Sequence, residues 1–564
     1  MISTLTRIAR LAAFALTLLS PLSAGAQADA ATPRRSPGDR PGPTLVLFLT
    51  VDQMRADYFD RFLPQLSGGL GRLYNHGAVF IHGAQDHAIT ETAPGHATVL
   101  SGREPWSTGI VANAQGVLDP QGPLVNGVAG DPASPYRFRG STLIDWIRSA
   151  DPRARALSVS RKDRAAILPI GRAHQFAVWY SPDGVFTTST YYADTLPAWL
   201  TTFNALRIPQ SFAGQVWTPA LPSDGYPEAD SVPRENGGKD FVFPHAFPAD
   251  PTAAAKALGR YPQMDQVTLE AALAGVRALG LGAGPQVDLL AISLSTTDAI
   301  GHAFGPDSKE LHDQILWLDR YLGAFLDTLY TLRDSSRVVI ALTADHGVAP
   351  FPEVHSGRYP NQAATHVNIA GLVERAAQAL PRHGIDRSAW RWENGMLWTD
   401  RDAIQRGGLD ADSLVRQFVK GVRRVPGVAR VDSYRTLTQL DTTRDAIARR
   451  WLHMFPPDLA PTLLVTLTPY SVWGDGASAE HGSPHDYDAD VPILFAGPFF
   501  KPGKYTAPAR VTDMAPTIAA VLGVRPTERL DGRVLREALA STGTATALVG
   551  HGGQRQPSSI AATH

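Results

Sequence analysis

The chain has 564 residues, with 52 Lys+Arg against 53 Asp+Glu and a net charge of −1, so it lacks the basic excess by which proteins hold nucleic acid. Its length allows one very large core or roughly three domains, which is enough for an enzyme. It has no cysteine, which excludes disulfides and a lipoprotein anchor, so stability must come from core size or bound metal.

Residues 1–26 carry Arg7 and Arg10, an apolar run over 11–19, and then Ala24, Gly25 and Ala26. This is the pattern of a signal peptide, cleaved after Ala26 or Ala28. The apolar run is shorter than the roughly 20 residues that span a bilayer, so a periplasmic or secreted protein without a membrane anchor is expected. Residues 27–42 read as a disordered leader and 541–564 as a tail.

Residues 44–51 form a nearly unbroken apolar run of strand length, as expected where both faces of a sheet are covered. Asp52 stands at its carboxyl end, the side on which open α/β sheets bind ligands. Next comes Thr92-Ala93-Pro94-Gly95-His96. Pro94 suits a first helical turn, so Thr92 sits at a helix mouth, where free N–H groups favour an anion. Taken alone, Thr92 reads as an ordinary helix cap. Asn113 follows in a loop that could return to that mouth.

Residues 156–160 read as a short strand running into Arg161-Lys162-Asp163-Arg164. If that stretch were extended, Lys162 and Arg164 would point the same way, ready to hold an oxyanion. From about 175 to 260 the chain is rich in aromatics, Pro and Gly, and reads as an irregular cap whose rings serve packing more than substrate contact. Residues 264–279 repeat at helical spacing, 287–294 form another buried strand, and Asp298 and His302 follow four apart on the next turn. Asp307 or Ser308 can cap an amphipathic helix. That helix leads to a strand at 338–342 with Asp345 and His346 beyond it. Residues 365–440 resemble strand, helix, strand and are expected to form a small α+β lobe. The last strands, 462–467 and 492–496, bracket His481, and 511–522 close the core as a helix.

Strand ends and loops thus supply Asp52, Asp298, Asp345, His302, His346 and His481, the inventory of a dinuclear site. Carboxylate and imidazole donors without thiolate suit zinc, with manganese or iron as alternatives. Glu480, His485 and His96 lie near these motifs and are expected to play supporting or surface roles.

The motifs T-x-P-G-H, D-x-x-x-H, A-D-H-G and H-G-S-P, in that order, resemble the alkaline phosphatase superfamily. The resemblance is closest to the bacterial phosphate-irrepressible alkaline phosphatases (PafA/PhoK type), which are related to the nucleotide pyrophosphatase/phosphodiesterases. It implies an α/β fold, an alkaline-phosphatase-like three-layer sandwich with a mostly parallel central sheet, helices on both faces, and the cap and lobe inserted into a catalytic domain over 43–540. It implies two zinc ions per chain, one held by Asp298, His302 and His481, the other by Asp52, Asp345, His346 and the Thr92 hydroxyl. Thr92 would be the nucleophile, forming a phosphothreonine, with Asn113, Lys162 and Arg164 on the phosphoryl oxygens. The Lys162/Arg164 pair favours small-molecule phosphate monoesters over the alternative, a phosphodiesterase or nucleotide pyrophosphatase. Sulfatases of the same superfamily need a Cys or Ser where Thr92 stands. A monomer or weak oligomer is expected.

Overall fold

The apolar runs become the centre of one sheet. The computed structural model describes residues 42–540, so the signal peptide, nearly all of the leader and the tail lie outside the described residues. The main sheet comprises β1 (Leu45–Val51), β2 (Ala78–Phe80), β3 (Ala156–Ser160), β4 (Phe176–Tyr180), β5 (Phe186–Thr187), β6 (Asp288–Leu294), β7 (Val338–Thr343), β8 (Ile493–Ala496) and β9 (Gly503–Tyr505). Their order is β9-β2-β8-β7-β1-β6-β3-β4-β5. The five central strands from β7 to β4 run parallel, while β8 and β5 pair antiparallel to either side.

Every residue of β1, β3, β6 and β7 is buried. Successive side chains point to opposite faces, so both faces are covered, as the α/β reading requires. Each Val, Leu, Ile or Phe fully buried in this way contributes about 1.5–3 kcal/mol. The principal helices near the site are α1 (Thr92–Val99), α2 (Gln263–Leu279), α3 (Thr296–Phe304) and α4 (Lys309–Leu332). Ser308 begins α4 by accepting the Leu311 N–H at 3.1 Å, and Gly280 ends α2 in a left-handed conformation at φ +60°, where glycine carries no Cβ penalty.

Register fixes where the chemistry lies. Thr50 of β1 pairs with Thr343 of β7, Val51 with Leu294 of β6, and Ser160 of β3 with Ser293 of β6. The carboxyl ends of four neighbouring parallel strands therefore finish almost level, and the residues that follow them share one rim.

Two stretches differ from expectation. The aromatic-rich segment begins with β4 and β5, which extend the main sheet before the chain turns irregular. Its later part is fastened to α4 through Asp313, which accepts from Trp217 Nε1 at 2.6 Å and the Ala220 N–H at 2.6 Å. Leu463–Leu467 belongs to a separate four-stranded sheet with Trp390–Glu393, Met396–Thr399 and Val428–Ser433. All five of its residues are buried, so by pattern alone it reads like a strand of the main sheet. Among the described residues no helix is long and apolar enough to cross a membrane.

Candidate active site

Asp52 follows β1 and is fully buried, and Gln53 after it adopts φ +66°. That left-handed residue turns the chain sharply off the sheet. It lets the Gln53 N–H reach Asp345 Oδ1 at 3.0 Å, while its side-chain Nε2 donates to Asp298 Oδ1 at 3.2 Å. Asp345 Oδ1 also accepts the His346 N–H at 3.0 Å. Its other oxygen faces His96 Nδ1 at 3.1 Å and His346 Nε2 at 3.5 Å.

The Thr92 helix mouth is built differently from the simple cap that the sequence suggests. Glu91, extended at φ −114° and ψ 164°, occupies the cap position, and Thr92 is the first helical residue. Pro94 falls within the first turn, where a missing N–H leaves nothing unpaired. Glu91 accepts the Asn113 N–H at 2.6 Å, and Asn113 Oδ1 accepts the Ala93 N–H at 2.8 Å. Burial raises the Glu91 carboxyl, with the Asn113 N–H and Arg164 opposing. Because its oxygen is taken, Asn113 has only its amide NH2 to offer a ligand beside Thr92. Gly95 lets α1 lie against Asp345: a Cβ there would sit 2.3 Å from Asp345 O. His96, fully buried, bonds the Thr92 carbonyl at 2.9 Å and Ser293 Oγ at 2.8 Å, which ties the helix mouth to Asp345 and to β6.

The three imidazoles are oriented alike. Nδ1 of His302 meets Ala479 O at 2.6 Å, Nδ1 of His346 meets Gly347 O at 2.9 Å, and Nδ1 of His481 meets Thr90 O at 2.8 Å. A proton on each Nδ1 satisfies the carbonyl and leaves Nε2 with its lone pair toward the carboxylates. His302 Nε2 lies 3.4 Å and His481 Nε2 3.9 Å from Asp298 Oδ1, and His346 Nε2 lies 3.5 Å from Asp52 Oδ1. Within Asp52/Asp345/His346, and likewise within Asp298/His346/His481, one ligand atom of each residue lies within 4.8 Å of the others. His302 joins the latter through Asp298 on the next helical turn.

This donor set fits divalent metal. Asp52, Asp298 and Asp345 are all nearly or fully buried, and buried charge must be paired or coordinated. Their close cation is Lys162, whose Nζ lies 2.6 Å from Asp52 Oδ2 and 2.7 Å from Asp298 Oδ2. One ammonium against three carboxylates leaves negative charge over. Burial, then Asp298 and Asp345, push the Asp52 carboxyl well up. Burial also opposes ionisation of Asp298, yet Lys162 and His302 hold it well below the ordinary range. Burial keeps His346 and His481 low, hence neutral, the form that coordinates. Asp52 Oδ1 and His346 Nε2 are buried without a hydrogen-bonding partner.

Lys162 Nζ also donates to Thr92 Oγ1 at 3.2 Å, so β3, β1, β6 and α1 converge at one point. Arg164 does not share an extended stretch with Lys162. Lys162 is the cap residue of the helix Asp163–Ile167, and Arg164 lies within it, with Nη1 3.6 Å from Asp163 Oδ1. Asp163 starts a helix there, and so the two-residue alternation fails. Glu480 accepts from Ser478 Oγ at 2.5 Å, and His485 Nε2 meets Leu467 O at 2.9 Å; neither enters the carboxylate cluster. Sequence reasoning missed Gln53, Glu91 and Arg161, whose Nη2 lies 3.9 Å from Asp298 Oδ2. Only adjacency to Asp52, Thr92 and Lys162 could have flagged them. A cavity of about 520 Å³ opens beside His302 and Arg161. A larger one of about 1010 Å³, walled by Arg61, Glu228 and Arg358, touches none of the candidate site residues.

The family described as type I phosphodiesterase / nucleotide pyrophosphatase matches residues 46–403. Alkaline phosphatase PhoV of Synechococcus elongatus is 30% identical over 529 residues, spanning 88% of this chain and 93% of its own. Alkaline phosphatase PhoK of Sphingomonas sp is 31% identical over 535 residues, 87% of this chain and 91% of its own. The crystal structure of wild-type alkaline phosphatase PafA aligns with a TM-score of 0.81 at 26% identity, over 89% of this chain and 99% of that one. The family resemblance and the α/β fold expected from the motifs are borne out.

Proposed function

The chain belongs to the type I phosphodiesterase / nucleotide pyrophosphatase family, and we propose that within it this protein is an exported, zinc-dependent alkaline phosphatase that hydrolyses small-molecule phosphate monoesters through a phosphothreonine. The observation that carries the reading is the meeting of Lys162 with both the Thr92 hydroxyl and two of three buried carboxylates at one strand-end rim. Named alkaline phosphatases among the relatives support it.

Asp52, Asp345 and His346 would hold one zinc together with Thr92, and Asp298, His302 and His481 the other. When bound, such ions supply Lewis acidity that eases ionisation of a hydroxyl and neutralises a leaving oxygen. Thr92 Oγ1 gives up its proton to water and attacks phosphorus, the O–P bond forms, and the ester P–O bond breaks in line with it. The departing alkoxide takes a proton from water. A water then displaces Thr92 from the phosphothreonine, releasing inorganic phosphate and restoring the hydroxyl. The N-terminus of α1 contributes its positive dipole end to the charge that develops there. His96 and Gly95 hold that helix mouth against Asp345, and Glu91 holds Asn113 so that its amide NH2 faces the phosphoryl oxygens.

Lys162 and Arg164 favour a monoester. A monoester dianion offers a third charged oxygen to a cation, whereas a diester carries an alkyl group in its place. A contact of this type contributes about 2–4 kcal/mol in the transition state. Thr92→Ala is expected to abolish p-nitrophenyl phosphate hydrolysis while retaining zinc by mass spectrometry; full activity in that variant sinks the reading. Lys162→Ala is expected to lower kcat/KM for a monoester far more than for a matched diester. A wild-type diester preference that survives the substitution would assign the enzyme to the diesterase side of the family.

A further inference from the structure

We propose that the cavity beside His302 receives the alcohol part of the ester, and that it selects leaving groups bearing a second anionic oxygen group, a carboxylate or a phosphate. The inference rests on the phosphatase reading above and adds to it the class of substrate.

Position comes first. Gly95 packs α1 against Asp345, and His96 joins the Thr92 carbonyl to the Asp345 carboxylate. The nucleophile thus belongs to the Asp52/Asp345/His346 side of the cluster. In-line displacement sends the leaving oxygen to the side of phosphorus opposite Thr92, toward Asp298, His302 and His481. Of those three, His302 has the most exposed side chain, at 30%. It forms part of the wall of the cavity of about 520 Å³, a volume within the range of small-molecule sites. An alcohol leaving from that side has this cavity in front of it.

The chemistry of the walls then selects. Arg161 and Arg260 both face the cavity. Arg161 Nε is buried with no hydrogen-bonding partner, and the nearest carboxylate to its Nη2 is Asp298, at 3.9 Å. Arg260 is exposed and, among the described residues, makes no ion pair. The opposing charge on the wall, Asp240, is turned to His245 at 3.3 Å, and His245 is held in turn by Glu310 at 3.1 Å. Two guanidiniums therefore stand against one carboxylate that already has a partner. A cleft with an excess of one sign concentrates ligands of the other, and planar guanidinium matches carboxylate and phosphate. Tyr261, stacked on Phe247 with ring centroids 3.7 Å apart, adds a rigid aromatic wall for the organic part between the two anionic groups.

The test compares phenyl phosphate with 3-carboxyphenyl phosphate on the zinc-loaded wild type and on Arg260→Ala, a surface change unlinked to the fold's core. The wild type is expected to prefer the carboxylated ester in kcat/KM. In Arg260→Ala that preference falls at least fivefold, while phenyl phosphate hydrolysis stays within twofold. Calorimetry with benzylphosphonate and 3-carboxybenzylphosphonate reads the same discrimination without turnover, and Arg260→Glu should reverse it. No preference in the wild type, or a preference unchanged in both variants, overturns the proposal. If neither phosphate is hydrolysed, the phosphatase reading fails by itself, and the phosphonate titration still decides what the cavity binds.

Discussion

Gly95→Ala separates site geometry from fold stability. The new Cβ would lie 2.3 Å from Asp345 O, 2.7 Å from Asp345 Cβ and 2.8 Å from Asp345 C, where ordinary contact begins at 3.4 Å. Two of these neighbours are backbone atoms and none is the tip of a flexible side chain, so relief requires α1 and the Asp345 loop to part by about an ångström. Overpacking of this type costs roughly 1–3 kcal/mol, and the better helix propensity of alanine returns about 0.5–1 kcal/mol. The net destabilisation is therefore about 1–2 kcal/mol. At roughly 2 cal/mol/K per residue, about 500 ordered residues unfold with an entropy near 1 kcal/mol/K, so Tm falls by only about 1–2 °C. Catalysis is far more sensitive, since displacement of reacting groups by about 1 Å costs on the order of 100-fold. The expected outcome is kcat/KM for p-nitrophenyl phosphate down about 100-fold with Tm nearly unchanged by scanning calorimetry. Gly357→Ala, where a Cβ meets nothing within 4 Å, is the control and should match wild type. Activity within threefold of wild type in Gly95→Ala would refute the argument that this close approach sets the nucleophile.

Gln53→Leu keeps the side-chain bulk but removes the Nε2 bond to Asp298; supporting groups of this sort are worth about 10–100-fold in metal retention or activity, measured as zinc loss on dialysis against a chelator. Stripping the protein with EDTA should lower Tm, by roughly 4 °C for each ion present at about 1,000 times its Kd, and zinc should restore it, whereas an unchanged Tm would argue against metal among the three carboxylates. Glu104, fully buried, has its carboxyl pushed up to about 8, chiefly by burial, with His453 opposing and Asp86 adding. The native state then holds a proton that the unfolded chain releases near the ordinary glutamate pKa. That stabilisation is fully present below the ordinary value and is lost as pH rises through about 8. Urea titrations should show this contribution to wild-type stability falling from the ordinary value of 4.5 up to about 8 and levelling above it, with a flatter profile in Glu104→Gln.

The sheet was legible because β1, β3, β6 and β7 are buried on both faces and so appear as unbroken apolar runs. Their carboxyl ends were legible because Asp52, Asp298 and Asp345 each follow such a run within a few residues. What misled was local ambiguity. Leu463–Leu467 is as apolar as a central strand, yet it pairs with Met396–Thr399 and Val428–Ser433, and pairing partners leave no mark in a five-residue pattern. Lys162 and Arg164 alternate in sequence, but Asp163 opens a helix between them, and a two-residue period has no meaning across a cap.

The residues that escaped notice share a physical reason. Gln53 and Glu91 carry no metal-binding or nucleophilic signature of their own; they act, as His96 of the T-x-P-G-H motif also does, by joining groups that lie apart along the chain. Gln53 reaches Asp345 and Asp298 across 292 and 245 residues, and His96 reaches Ser293 across 197. Such bonds exist only once level strand ends have brought the loops together, so the side chains that hold the site rigid become visible only after the fold is built. Those same contacts determine whether Thr92, Asn113 and Lys162 keep one geometry at the rim. On the reading proposed above, the motifs name the candidate reacting groups, while the Gln53, Glu91, Gly95 and His96 contacts decide whether this chain aligns them.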